Sequence, residues 1–259
     1  MTLEQTGGSS ERENPDLVGG VAMSPARSPL AGAAKSNFTD NHGLVLENVH
    51  VHLIFWGSAW GNSENHPTIN EVTNAVTSIL TGPYMSLLDQ YQQIGKGVLD
   101  GTMSVTTPMA GVSADPPNHF SKSNVAIMIF NLINSGAIPD PASNNQLLYC
   151  VIMPPGVKFA DESMIGNHTY FKHGNQKVHF AWVSNGGTLA SITQIFSHEL
   201  VEACTDPEGT AILGTDGTCT GVGWCEIGDV CEKQVGVVDG ITVQAYWSQL
   251  HGECVLPTK

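Results

Sequence analysis

The segment Val49-His50-Val51-His52-Leu53-Ile54-Phe55-Trp56 alternates polar and apolar side chains at first and then turns wholly apolar. That is the pattern of a strand entering the interior of a sheet. Further strand patterns run from Gly97 to Thr106, Gln146 to Met153, Lys177 to Val183 and Ile241 to Trp247. Helical periodicity covers Thr68 to about Leu80 and Tyr84 to Ile94, separated by Thr81-Gly82-Pro83. Val125 to Ile133 reads as a helix capped by Ser121 or Ser123. Another helix is expected from Leu189 to about Thr205, opened by Gly186-Gly187-Thr188 and stopped by Pro207. Strands mixed with helices, without strict alternation, predict a single α/β (α+β) domain over 41–259. Residues 1–40, with Gly7-Gly8-Ser9-Ser10 and a proline-spaced stretch from Ser24 to Ala34, read as a flexible leader or pro-segment. His50 and His52 share one strand face and read as an edge-face pair rather than as ligands.

The chain carries 24 acidic against 10 basic side chains, a formal charge of -14. Such a surface repels phosphate backbones and anionic lipid, so nucleic acid and membrane surfaces are not expected partners. No apolar run is long enough to span a bilayer. Five of the six cysteines crowd into the last quarter of the chain, which is loop-rich and short of apolar runs. Disulfides in an oxidising compartment are therefore expected, and no close C-x2-C pair suggests a zinc knot instead. Met1 to Ser36, by contrast, lacks the apolar core of a signal peptide. The expectation taken is a secreted or extracytoplasmic protein, with Asn37 and Asn167 as glycosylation sequons.

Chemistry concentrates on the helix that ends before Pro207. His198 and Glu202 are four residues apart, about 40° from each other around the axis, so both can reach one ion. Glu199 sits about 100° round, beside that ion. A hydrolytic zinc helix divides labour in this way: ligands at i and i+4, and a carboxylate at i+1 that takes a proton from the attacking water. The usual second ligand is histidine; here it is Glu202. Downstream, Glu226-Ile227-Gly228-Asp229 offers a third ligand and a carboxylate to support His198, the alternative being a calcium loop or simple turn. His168 is a candidate to polarise a carbonyl or complete the metal shell, and Tyr246 or His251 to stabilise an oxyanion.

His198-Glu-Leu-Val-Glu-Ala-Cys-Thr-Asp206 resembles the H-E-L-x-H-A-x-T-D helix of thermolysin-type gluzincins, and Glu226-x-x-Asp229 resembles their later E-x-x-x-D segment. A broader resemblance, over Val49 to Cys254, is to the exordium / phosphate-induced protein family of plants, bacteria and fungi. It rests on Ile54-Phe55-Trp56-Gly57, Ala181-Trp182-Val183-Ser184-Asn185, the H-E-x-x-E helix, Glu226-Ile-Gly-Asp-Val-Cys231 and Tyr246-Trp247-Ser248. Departures are Ile165-Gly166-Asn167-His168 in place of a cysteine-rich stretch, and Cys204 where relatives carry no cysteine. The resemblances imply a zincin-like domain with zinc on His198, Glu202 and Glu226, and Asp229 supporting His198. Glu199 is then the general base, in a monomeric peptidase acting on a peptide or protein. They also imply a Cys231–Cys254 bridge, which leaves Cys204 to pair with Cys219 or Cys225. The rival readings are a non-catalytic secreted signalling protein with a structural metal, and a tailoring hydrolase for one small amide.

Overall fold

Thr68, Ser121 and Thr188 each open a helix by the same device. In the computed structural model, which describes residues 16–17, 22–23, 37–64, 67–214 and 225–258, each is the N-cap of a capping box. The cap side chain accepts the backbone N–H three residues on, and the residue there accepts the cap's own N–H. These caps start α1 (Ile69–Thr81), α2 (Lys122–Asn134) and α3 (Leu189–Thr205). The α3 backbone stops at Asp206, before Pro207, where the sequence placed its end.

The main sheet joins β5 (Val98–Val105), β4 (His50–Trp56), β7 (Leu147–Pro155), β10 (Gln176–Asn185) and β9 (Gly166–His173), in that order. The first four are mutually parallel, and β9 runs antiparallel to β10. Two short strands, β1 (Asp16–Leu17) and β2 (Ala22–Met23), pair antiparallel with the outer side of β9. Parallel strands covered on both faces must be apolar on both, which explains the Val, Ile, Leu and aromatic runs of β4, β7 and β10, whereas the edge strand β5 is polar and largely exposed. Val51, Leu53 and Phe55 of β4 and Leu148, Cys150 and Ile152 of β7 point to the core shared with α1 and α3. Their neighbours Ile54, Trp56, Tyr149, Val151 and Met153 point to the other core, under α2.

Smaller pairs complete the fold. β3 (Phe38–Asp40) pairs with β11 (Ile212–Gly214), and β6 (His119–Phe120) with β8 (Lys158–Phe159). β12 (Val235–Val238) pairs with β13 (Ile241–Gln244), and β14 (Tyr246–Ser248) with β15 (Glu253–Val255). α3 lies between β9 and β10 on one side and β13 on the other, with α1 alongside, so Ile195 to Thr205 are all buried. No helix among the described residues is long and apolar enough to cross a membrane.

Several expectations are corrected. Tyr84 to Ile94 is not one helix but two 3-10 turns, Pro83–Met85 and Leu88–Gln90, followed by Gln92 and Gln93 at positive φ. The segment is shaped by its tyrosines, whose hydroxyls donate to the Gln244 carbonyl (Tyr84, 2.7 Å) and the Trp247 carbonyl (Tyr91, 2.7 Å). The strand expected over Ile241 to Trp247 breaks at Ala245, and its halves join different partners. Within residues 1–40, short strands occur at 16–17, 22–23 and 38–40. Asn167 has no exposed surface, so that sequon is closed to glycosylation. Cys231 and Cys254 are bridged and Cys225 is disulfide-bonded, but Cys204 is a free thiol in the core, as is Cys150. Cys204 faces inward from α3, where its neighbours are apolar, so it packs as a small hydrophobe. The Cys219 half of its expected pairing lies outside the described residues.

Candidate metal centre

α3 carries His198, Glu199 and Glu202 into the interior, each 1 % exposed or less. Two other segments close on them. β9 brings His168, and the turn after Cys225 brings Glu226 and Asp229. Both approaches depend on glycine. A Cβ on Gly166 would run into Glu199 Oε1 and Ile195, and one on Gly228 would lie 2.7 Å from Glu202 Oε1 and 2.9 Å from His198 Nδ1. Only a residue without a side chain lets backbone and carboxylate meet so closely.

His198 Nε2 stands 3.2 Å from Glu202 Oε2 and 4.0 Å from Asp229 Oδ1. His168 is bracketed: Nδ1 is 3.4 Å from Glu199 Oε2 and 3.7 Å from Glu202 Oε2, while Nε2 is 3.3 Å from Glu226 Oε1. Ligand atoms of His198, Glu202 and Asp229 all fall within 4.8 Å of one another, and those of His168, Glu199 and Glu202 do the same. The structure thus places Asp229, rather than Glu226, with His198 and Glu202. The reason is local. Asp229 Oδ2 accepts the Glu226 backbone N–H (2.9 Å), which tightens the E-x-x-D segment and turns the two carboxylates to different neighbours.

The support expected from Asp229 for His198 comes instead from Gln244, a fully buried residue of β13. Its amide nitrogen lies 2.7 Å from His198 Nδ1 and 3.0 Å from the Gly228 carbonyl oxygen, to which it donates. Turned over, the same amide would present Oε1 to an Nδ1–H of His198 and free the His198 Nε2 lone pair for a cation, but would set Oε1 against the Gly228 carbonyl oxygen that the amide nitrogen now satisfies. No sequence signal marked this glutamine, because it stands in an ordinary apolar strand. Tyr246 is not turned to the cluster: its hydroxyl donates to the Tyr84 carbonyl at 2.8 Å and its ring packs edge-on against Tyr84. His251 pairs with Ser248 Oγ (2.8 Å), and His179 with Glu208 (3.2 Å).

The electrostatics are those of a site short of positive charge. Burial, then Glu226 and Glu199, push the Glu202 pKa well above the carboxylate range. Burial likewise lifts Glu226 to about 7 against the pull of His168, and Asp229 to about 7 with Glu202 adding to the rise. Burial opposes a charge on His168, but Glu226, Glu199 and Glu202 outweigh it and push the pKa well above that of a free imidazole. Even so, among the described residues His198 Nε2, Glu199 Oε1 and both carboxylate oxygens of Glu202 and of Glu226 are buried with no well-aligned hydrogen bond, the His198–Glu202 (3.2 Å) and His168–Glu226 (3.3 Å) contacts being ionic only. Buried carboxylates with orphaned oxygens are costly unless a proton or a cation neutralises them. The donor set, imidazole nitrogen with carboxylate oxygen, suits zinc. A separate cleft lined by Trp56, Val112, Asp115 and Met128 lies against α2, on the opposite face of the sheet. Compared with family models, curated proteins and solved structures, the chain shows no match.

Proposed function

We propose that the chain is a zinc-dependent hydrolase of zincin-like type, a secreted peptidase acting on peptide or protein substrates. One observation carries the reading: His198 Nε2 and the oxygens of Glu202 and Glu226 are buried together in a cluster rich in carboxylates and, among the described residues, make close ionic contacts but no well-aligned hydrogen bond, as cation ligands would. The likeness of the H-E-x-x-E helix and of Glu226-x-x-Asp229 to gluzincin segments, and of the wider chain to the exordium family, points the same way.

When bound, a divalent ion supplies Lewis-acid polarisation of a carbonyl and makes water more acidic. His198, Glu202 and Asp229 would hold it, with Gln244 fixing the His198 ring. Glu199 accepts a proton at Oε1, its oxygen without a partner, and returns it to the leaving amine. His168 orients Glu199 through Nδ1 at Oε2 and holds a proton on Nε2, which faces the Asp206 carbonyl oxygen and Glu226.

Near-complete burial of the cluster favours a second reading, a structural cation in a non-catalytic protein. Two substitutions on α3 separate them. Glu199→Gln leaves zinc content and melting temperature nearly unchanged and lowers peptide cleavage by about 100-fold to 10,000-fold. Glu202→Gln loses metal, stability and activity together. Metal analysis and a peptide-library digest read both variants. Absence of zinc from the native protein, with no binding on addition, sinks the proposal; bound zinc without cleavage by any form leaves the structural role.

A further inference from the structure

Glu202 lies between two imidazoles. Its Oε2 is 3.2 Å from His198 Nε2 and 3.7 Å from His168 Nδ1. Each imidazole also faces a further carboxylate: Asp229 Oδ1 stands 4.0 Å from His198 Nε2, and Glu199 Oε2 stands 3.4 Å from His168 Nδ1. Two triads, His198–Glu202–Asp229 and His168–Glu199–Glu202, therefore share one residue. Two ligands at about 2.0–2.1 Å from a tetrahedral ion stand about 3.3 Å apart. The four contacts run from 3.2 to 4.0 Å, the range of ligand pairs around an ion rather than of short hydrogen bonds. Glu202 is fully buried, and among the described residues neither of its oxygens makes a well-aligned hydrogen bond. His168 is also set up as a ligand. Its Nε2 faces the Asp206 carbonyl oxygen and Glu226 Oε1, both at 3.3 Å, which holds a proton there and turns Nδ1 toward Glu199 and Glu202 as the lone-pair nitrogen.

We propose that the centre takes two divalent transition-metal ions bridged by Glu202, the first on His198, Glu202 and Asp229 and the second on His168 Nδ1, Glu199 Oε2 and Glu202. The inference rests on the zinc-centre reading for its first ion and adds the second. Each triad offers one imidazole and two carboxylates, so both suit the same class of ion. Charge points the same way. Glu199, Glu202, Glu226 and Asp229 bring four carboxylates to imidazoles that are neutral when they ligate, and one divalent ion offsets half of that charge. Neighbouring groups add more acid than base: Asp206 acts on Glu226 and Glu232 interacts with His198, against Lys122 on Glu199. A second divalent ion brings the four carboxylates to balance. Ions in such paired centres stand about 3.5–4 Å apart, close enough for one carboxylate to serve both. Glu199 binds through Oε2 and keeps Oε1, the atom given the proton transfer above. The second ion is held more weakly than the first, since like charges repel, so the zinc retained by Glu199→Gln is the first ion.

The test loads the metal-free full chain with Zn2+ by calorimetric titration and, separately, with Co2+ followed by electron paramagnetic resonance. Two ions per chain are expected, in two steps. The first equivalent of Co2+ should give the signal of an isolated high-spin ion. The second should collapse that signal, because ions that share a carboxylate couple magnetically. His168→Gln removes the Nδ1 ligand, so it should keep the first step, lose the second and retain the isolated signal. Should that variant fail to fold, the count and the coupling in the parent decide alone. One ion per chain at saturation overturns the second site and leaves the zinc-hydrolase reading intact. Two ions whose signals stay independent put the second elsewhere and overturn the bridge. Two coupled ions in His168→Gln overturn the place given to His168. Two coupled ions in the parent, with no peptide cleaved at either loading, uphold the pair and remove the peptidase reading. A chain that binds neither metal sinks both.

Discussion

Gln244 gives the sharpest test of the metal centre, because it touches the proposed ligand without being one. Gln244→Leu replaces the amide with an apolar side chain of similar size and leaves the backbone bond from Gln244 N–H to Ser197 Oγ (2.9 Å) in place. Two effects follow. The Gly228 carbonyl loses the amide at 3.0 Å but keeps the Cys231 N–H (3.0 Å), so one hydrogen bond is lost in the metal-free protein, at a cost of about 0.5–1.5 kcal/mol. His198 Nδ1 also loses its partner, and loss of such a contact behind a metal-ligating imidazole weakens metal binding about 10-fold to 100-fold. Gln244→Glu shares the first loss but keeps an oxygen to accept an Nδ1–H. The difference between the two variants therefore isolates the orientation of His198 from general destabilisation. Zinc affinity is measured by competition with a chelating dye, and melting temperature with and without chelator. Gln244→Leu should bind zinc at least several-fold more weakly than Gln244→Glu, while both melt lower than the parent in chelator. Equal zinc affinity in the parent and both variants would refute the argument that residue 244 holds the ligand.

Three further outcomes are expected. Replacing Cys231 and Cys254 by serine opens a bridge spanning 23 residues and should cost about 3 kcal/mol by loop entropy, measured by denaturant unfolding. Cys150 and Cys204 should by contrast stay inert to thiol reagents in the native protein, since burial pushes both thiols far above their usual pKa. Rapid native labelling of either would contradict their place in the core. Glu208 has its pKa held below the usual carboxylate value by its bond to His179, with burial opposing and Lys177 assisting. Its contribution is therefore complete above the ordinary carboxylate range and fades as pH falls through the lowered value. A Glu208→Gln variant should be less stable than the parent at neutral pH and converge with it in acid; a gap that widens in acid would reverse the sign.

Sequence alone determined the elements whose cause is local. Thr68, Ser121 and Thr188 cap helices because a side-chain oxygen and the backbone N–H three residues on meet within one turn, and apolar runs become interior strands wherever both faces are covered. The i, i+1, i+4 placement of His198, Glu199 and Glu202 follows from helix geometry in the same way. Tertiary structure decided what depends on partners distant in sequence. β9 reads as polar, with Asn167, His168, Thr169 and Lys172, and becomes a strand only because β10 offers it a ladder of backbone partners. Tyr246 looked available for catalysis until the Tyr84 carbonyl took its hydroxyl, and Cys204 looked ready to pair until the core enclosed it. Asp229 lies with His198 and Glu202 while Glu226 faces His168, because a turn, not a spacing, sets where each carboxylate points. Gln244 carried no signal at all, since an amide in a strand acquires its task only when packing brings it within 2.7 Å of His198. Helices and interior strands record contacts over a few residues; a buried polar cluster is assembled from four separate segments, and its geometry exists only once they pack.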